Sequence, residues 1–230
     1  QAPAARSFYA ALQSAGSPRI IAECKKQSPS KGIMVASYDP VAIATAYAAG
    51  GAAAISVLTD ERFFGGCLDD LRKVRSAVAI PVLRKDFIID AYQIYEARAA
   101  GADTFLLLAG VLNTAELDAL IAIGRSLGME PLIESHTAEE LHLAIASKGL
   151  IFGVNNRNLK NFSVDLGIAR ELYELGAASG TDRIMVCESG IKSASDVENL
   201  THVGYKAFLV GEALVTHPDP TAAVKALISR

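Results

Sequence analysis

The chain has 230 residues, 51% of them hydrophobic and 20% charged, with a formal net charge of −3. That make-up describes an ordinary globule and excludes a disordered or fibrous chain, and it supplies no general attraction to nucleic acid or an anionic membrane. No apolar run approaches the roughly 20 residues of a membrane span, and at this length a core burying roughly 70–75% of the unfolded surface needs no metal or disulfide staple. In chain order, residues 2–15 read as one amphipathic helix belonging to the same domain as the rest of the chain. Apolar runs of strand length then recur eight times, at 19–24, 53–58, 81–83, 104–108, 131–133, 150–154, 183–187 and 206–210. Between them lie segments with helical spacing, among them 40–49, 91–100, 114–127, 138–147 and 166–177. Several of these helices end at glycine (Gly50-Gly51, Gly101, Gly128, Gly149, Gly204) and lead directly into the next strand. Strands this apolar on both faces belong to a parallel sheet covered by helices. Eight such units without a linker or low-complexity stretch predict an α/β chain of one domain, 1–230, folded as a (β/α)8 TIM barrel with a short N-terminal helical segment. A doubly wound open sheet is the structural rival, but no G-x-G-x-x-G fingerprint is present.

The three cysteines are few, odd in number and widely spaced, with no C-x-x-C, and Cys24 and Cys187 lie in strand-like runs. They read as reduced thiols of a cytoplasmic protein. The opening QAPAARSFYAALQ lacks the long apolar core of a signal peptide.

In a (β/α)8 barrel the chemistry sits at the C-terminal strand ends, so polar groups that interrupt the strands there are the ones to follow. The first strand ends in Glu23 and Lys25, two apart and therefore projecting to the same side. The third supplies Lys85, the fifth Glu134, the sixth Asn155 and Arg157, the seventh Glu188 followed by Ser189 and Gly190, and the eighth Gly211 and Glu212. A single Lys or Glu at such a place is commonly a rim ion pair. Three carboxylates, two lysines, an arginine and an asparagine converging from five strands are not, because burying ionised groups without a purpose is costly.

The polar run Ser28-Pro29-Ser30-Lys31-Gly32 has the composition of a loop that handles an anion. Backbone N–H groups at the helix starts after Gly190 and Gly211 would cradle a phosphate, though the same glycines also suit tight turns. Phe63, Phe64, Phe87 and Leu159 lie where an apolar wall would hold an aromatic ring, with ordinary core packing as the alternative. The four histidines show no metal-ligand spacing, and only His136, sharing a face with Glu134, stands near the predicted site. Lys and Glu acid–base catalysis is the chemistry these groups support.

The run Glu23-Cys24-Lys25-Lys26-Gln27-Ser28-Pro29-Ser30-Lys31-Gly32 closely resembles the first-strand signature of indole-3-glycerol phosphate synthases. The resemblance continues through 55–60, Leu83-Arg84-Lys85-Asp86-Phe87, Gly153-Val154-Asn155-Asn156-Arg157-Asn158-Leu159 and Glu188-Ser189-Gly190-Ile191, in order along nearly the whole chain. It implies a lyase of tryptophan biosynthesis that closes the ring of 1-(2-carboxyphenylamino)-1-deoxy-D-ribulose 5-phosphate with loss of CO2 and water. By the same resemblance Lys85 is the general acid, Glu134 the base, and Lys25 with Arg157 the partners of the departing carboxylate. Lys25 also assists hydroxyl loss, Glu23 positions the lysines, and Asn155 and Glu188 orient the substrate. Ser28, Ser189, Gly190 and Gly211 fall at the phosphate end, and Phe64, Phe87 and Leu159 at the aromatic pocket. Neighbouring positive charges are expected to lower a catalytic lysine's pKa toward neutrality. No metal or organic cofactor is implied. The partner implied is a small phosphorylated molecule, with no nucleic acid and no membrane, acting on a monomer, fusion to or association with other enzymes of the pathway remaining open.

The chain departs from the pattern in three places. Glu212 follows the last phosphate-site glycine where some members carry a small hydroxyl residue, and it is expected to point away from a phosphate. Ala109-Gly110 after the fourth strand is smaller than in many members. The segment before the first strand is shorter than usual, which suggests truncation and puts a substrate-covering N-terminal helix in question. Two rival readings remain: a phosphoribosylanthranilate isomerase, which the Lys25, Lys85 and Glu134 set argues against, and a phosphate-binding barrel without activity.

Overall fold

The structure, a computed structural model, describes residues 2–14, 16, 18–158, 161–178, 180 and 182–229. Eight parallel strands close into a barrel: β1 (Arg19–Cys24), β2 (Ala54–Leu58), β3 (Val82–Lys85), β4 (Thr104–Leu108), β5 (Leu132–Ser135), β6 (Ile151–Asn155), β7 (Ile184–Glu188) and β8 (Ala207–Val210). Each pairs with its chain neighbours, and β8 closes on β1 with Ala22 opposite Val210. This is the (β/α)8 arrangement that the alternation of apolar runs and helical spacing predicts.

The strands from β3 and from β5 to β7 start one residue later than their apolar runs and end one or two residues later. The ladder pairs backbone groups and is indifferent to side-chain polarity, so it continues through the polar residues where the hydrophobic pattern stops. Leu58 lies opposite Lys85, Leu108 opposite Glu134, and Asn155 opposite Glu188. Glu23, Lys85, Glu134 and Glu188 are therefore strand residues on a rigid wall, whereas Lys25 and Arg157 follow just past their strands.

Alternate strand positions feed two cores. The inner one fills the barrel with side chains such as Ile21, Leu83, Leu132, Ile151 and Val186, and the outer one packs strands against helices. The N-terminal helix is shorter than its amphipathic pattern suggests, running only from Phe8 to Gln13, because Ser7 caps it by accepting from the Ala10 amide. Residues 2–6 instead run along the barrel's lower rim, where the Arg6 amide donates to Asp103 and its guanidinium to the Ile80 carbonyl. Phe8 and Leu12, one helical turn apart, join the inner core, so this helix closes the N-terminal end of the barrel, opposite the mouth. The helices Glu61–Phe64 and Leu68–Ala77 add to those the spacing predicts. Among the described residues no helix is long and apolar enough to cross a membrane.

Candidate active site

The C-terminal strand ends surround a cavity of about 650 Å³. Glu23 on β1 and Lys25 just past its end face it together, with Lys25 Nζ 2.6 Å from Glu23 Oε1. Cys24 between them turns outward, its Sγ 4.0 Å from the Pro40 carbonyl. A side chain at Gly211 would overlap the Glu23 carboxylate and come within 2.9 Å of Lys25 Nζ. That close approach gives this glycine a packing reason independent of any ligand.

Lys85 on β3 donates to Glu134 Oε2 across the barrel at 2.7 Å, and its Nζ lies 3.8 Å from Glu188 Oε2. The Asn155 amide donates to Glu134 Oε1 at 2.8 Å. Gly153, opposite Glu134 in the ladder, leaves the space that the Glu188 carboxyl occupies. Glu23, Lys25, Lys85, Glu134, Asn155 and Glu188 thus share one cavity, as the strand-end reading predicts.

Their protonation follows from the crowding. Burial alone would pull the Lys85 ammonium's pKa down, but the carboxylates of Glu134, Glu188 and Glu23 outweigh it and raise it. The expected depression by positive neighbours is not found, because those nearest to Lys85 are acids. Burial pushes the Glu134 carboxyl up, but Lys85 and His136 more than reverse this and hold it ionised, well below the usual carboxylate range. Glu188 goes the other way: burial and the Glu134 anion raise its pKa well above the ordinary value, with Lys85 opposing. One Glu188 oxygen is buried without a hydrogen-bond partner among the described residues. Two carboxyls facing one ammonium are pushed in opposite directions, Glu134 down and Glu188 up, the kind of separation that lets one site supply both a base and a hydrogen-bond donor.

At the rim Arg157 lines the cavity, its guanidinium 3.8 Å from Glu212 Oε2. Glu212 also lies 3.5 Å from Lys31 Nζ. The expectation that Glu212 points away is therefore corrected: its carboxylate faces the cavity because two cations from other loops reach it there. Phe64 and Phe87 form a tilted pair with centroids 6.4 Å apart on one side. Phe63 is exposed and does not line the cavity. Ser189 and Gly190 take left-handed backbone conformations, φ 63° and 87°, in the turn after β7. For a non-glycine residue such as Ser189 this is a strained state of the kind that clusters at functional sites.

Ser28 is not among the lining residues. It sits in a small antiparallel ribbon, Gln27–Ser28 against Gly32–Ile33, and Lys31 in the connecting turn reaches the cavity instead. Leu159 lies outside the described residues. Lys31, Lys192, Phe162 and Val164 line the cavity beyond the predicted set. Lys31 was legible in the polar loop, whereas Phe162 and Val164 arrive through a loop folded back by the Arg157–Val164 bridge, for which no local signal exists.

A closed parallel barrel whose mouth gathers buried lysines and carboxyls with oppositely shifted pKa values defines a (β/α)8-barrel enzyme equipped for acid–base chemistry. Comparison with known proteins narrows the class. A family model described as indole-3-glycerol phosphate synthase matches residues 1–227, and the chain belongs to that family. It is 50% identical over 228 residues to the indole-3-glycerol phosphate synthase of Albidiferax ferrireducens, covering 97% of this chain and 85% of that protein. The corresponding protein of Azoarcus sp. is 48% identical over 228 residues, with 98% and 86% covered. Among solved structures, 3-hexulose-6-phosphate synthase from Salmonella typhimurium superposes with a TM-score of 0.69 at 12% identity, covering 91% of this chain and 96% of that one. Thiamine phosphate pyrophosphorylase from Pyrococcus furiosus gives 0.69 at 14% identity, with 96% of both chains covered. These two share the fold alone.

Proposed function

We propose that this chain catalyses its family's decarboxylating ring closure, turning 1-(2-carboxyphenylamino)-1-deoxy-D-ribulose 5-phosphate into indole-3-glycerol phosphate, CO2 and water. The observation that carries the reading is the Lys85–Glu134–Glu188 cluster: a buried ammonium between two carboxyls whose pKa values are driven in opposite directions.

The ring carbon bearing the carboxylate attacks the ketone carbon, and the carbonyl electrons become an alkoxide. Lys85 protonates that oxygen; its raised pKa is no obstacle, because an alkoxide is a far stronger base than an amine. Loss of CO2 returns the bonding pair to the ring. Lys25 and Arg157 hold the carboxylate until it leaves. The hydroxyl then departs as water with a proton from Lys25, pushed by the anilino nitrogen, and Glu134 removes a proton from the methylene carbon between that nitrogen and the former ketone carbon to give the indole. Two protons are given and one is taken, so each turnover draws one from solvent. Glu23, bonded to Lys25, positions that lysine. Glu188, its pKa raised, donates a hydrogen bond from its protonated form that orients the substrate, and Asn155 fixes Glu134.

Phe64 and Phe87 receive the aromatic ring. The turns at Ser189-Gly190 and Gly211, with Lys31 reaching in from the ribbon that carries Ser28, receive the phosphate. The substrate is a small phosphorylated molecule, and residues 1–230 act as one catalytic unit, monomeric and cytoplasmic.

Incubating the protein with this substrate while following indole fluorescence and CO2 release tests the reading. Both signals are expected together. Isomerisation without indole would assign the site to a sugar-phosphate isomerase, and binding without turnover to a ligand-binding barrel.

A further inference from the structure

Glu134 has a second set of neighbours that the proposed reaction does not use. His136 lies just beyond β5 with its side chain 15% exposed, and its Nε2 stands 3.2 Å from Glu134 Oε1. Nε2 is buried and lacks an aligned hydrogen-bond partner, so the contact is electrostatic, and a small rotation of the carboxylate makes it a hydrogen bond. The other ring nitrogen, Nδ1, is 3.3 Å from Glu140 Oε2 in the first turn of helix Ala138–Ala146. That same oxygen accepts the His136 backbone N–H at 2.7 Å. From the β4 side, Gly110 makes room: a Cβ there would come 2.6 Å from Glu140 Oε1.

We propose that His136 is a positioning residue for the base: it holds Glu134 Oε1 from the side away from Lys85, while Glu140, admitted by Gly110, fixes the imidazole. The inference rests on the reading of Glu134 as the base. Lys85 holds Oε2 in the ligand-free site, but it must leave that oxygen when it turns to the substrate alkoxide. Among the described residues Asn155 and His136 then keep the carboxylate in place. The charged groups facing His136 are Glu134 from β5 and Glu140 from the following helix; Lys85 acts on it through Glu134. Burial would lower the imidazole's pKa, but the two carboxylates raise it above the ordinary value, so His136 carries its charge to higher pH than a free histidine. The short Gly110, a departure from the pattern of many family members, becomes part of this arrangement.

The test measures kcat, KM and the pH profile of His136→Asn, Glu140→Gln and Gly110→Ala, with Glu134→Gln as control and thermal melts alongside. His136→Asn is expected to lower kcat about 10- to 100-fold, as loss of base alignment does, with KM within about twofold. The acid limb of its profile should move to higher pH, because Glu134 loses one of the two cations that hold its carboxyl low. Glu140→Gln and Gly110→Ala should show smaller losses of the same kind. The methyl at Gly110 meets only the flexible end of Glu140, so that variant is expected to fold and to decide the matter if His136→Asn does not. Unchanged kcat and an unmoved limb, or a loss accounted for by unfolded protein alone, would overturn the proposal. A nearly inactive Glu134→Gln with a normal His136→Asn sinks only this inference. An active Glu134→Gln sinks the base assignment beneath it.

Discussion

The two ends of the barrel both bury charge, and they treat it in opposite ways. At the N-terminal end Asp103, 1% exposed, accepts the Arg6 and Val82 amides at 2.8 and 2.9 Å and pairs with Arg75 at 3.0 Å. Arg6 and Arg98 donate to the Ile80 and Ala102 carbonyls. The charges there tie backbone segments to one another, so the N-terminal segment, β3 and helix Leu68–Ala77 meet at a single carboxylate. At the mouth the close contacts of Lys25, Lys85 and Asn155 run to other side chains, one Glu188 oxygen is left unpartnered, and two carboxyls are driven apart in pKa. A buried charge bonded to backbone stabilises the fold. A buried charge bonded to another movable charge holds a protonation state ready for use, and the fold bears the cost.

The largest separation of the two ends comes from Lys85→Ala. Removing the proposed general acid should cut turnover by about 10³-fold or more, while equilibrium binding of substrate, measured by fluorescence quenching, stays within a few fold. A rate within a few fold of the parent would remove Lys85 from the mechanism. At the opposite end Asp103→Ala should leave kcat per folded molecule nearly unchanged. It strands a buried guanidinium and two backbone amides, and so should cost about 3–5 kcal/mol of stability in a urea titration. A large kcat loss at unchanged stability would mean that the lower end is coupled to the chemistry after all.

Glu188→Gln should do the reverse of Asp103→Ala. The Glu188 pKa is raised in the folded protein. Its contribution to stability is therefore complete below the unfolded value, about 4.3, and is lost as pH rises toward and through the folded value. A glutamine carries no such loss. The melting temperature of Glu188→Gln should gain on the parent as pH rises above about 4.3, by about the 2–4 °C that a change near 1 kcal/mol gives in a chain of this size, while activity falls. A gap that narrows with rising pH would show that Glu188 is an ordinary carboxylate.

The mouth's half of this contrast was legible in the sequence, for a geometric reason, and the half centred on Asp103 was not. Strand residues two apart share a face, so Glu23 with Lys25 and the polar groups closing β3, β5, β6 and β7 were bound to meet once eight strands closed a barrel. What stayed hidden depends on partners far apart in sequence. Lys85 meets Glu134 across 49 residues, and the resulting crowd of carboxylates raises the lysine's pKa where neighbouring positive charges were expected to lower it. The Ser28 loop reads as an anion loop, but the ribbon formed when the Met34 amide bonds the Lys26 carbonyl presents Lys31 to the cavity. The N-terminal helix is legible as amphipathic; its late start at Phe8 depends on Arg6 being claimed by Asp103.

Glu212 offers the finest test, because it sits at the mouth yet pairs in the manner of an exposed surface. Its carboxylate bridges Lys31 and Arg157 at 3.5 and 3.8 Å with its side chain 41% exposed, so the pairs are weak, worth at most about 1 kcal/mol. Both cations line the cavity that must receive a dianionic phosphate and a carboxylate. Glu212 therefore competes with the substrate for the same charges. Glu212→Gln should lower KM about two- to threefold and tighten inhibition by inorganic phosphate to a similar degree, with kcat within about twofold. Both effects should fade as ionic strength approaches about 1 M, where the screening length falls to about 3 Å. A rise in KM would reverse the assignment and make Glu212 the residue that aims Arg157 at the substrate, a rim charge recruited into the site.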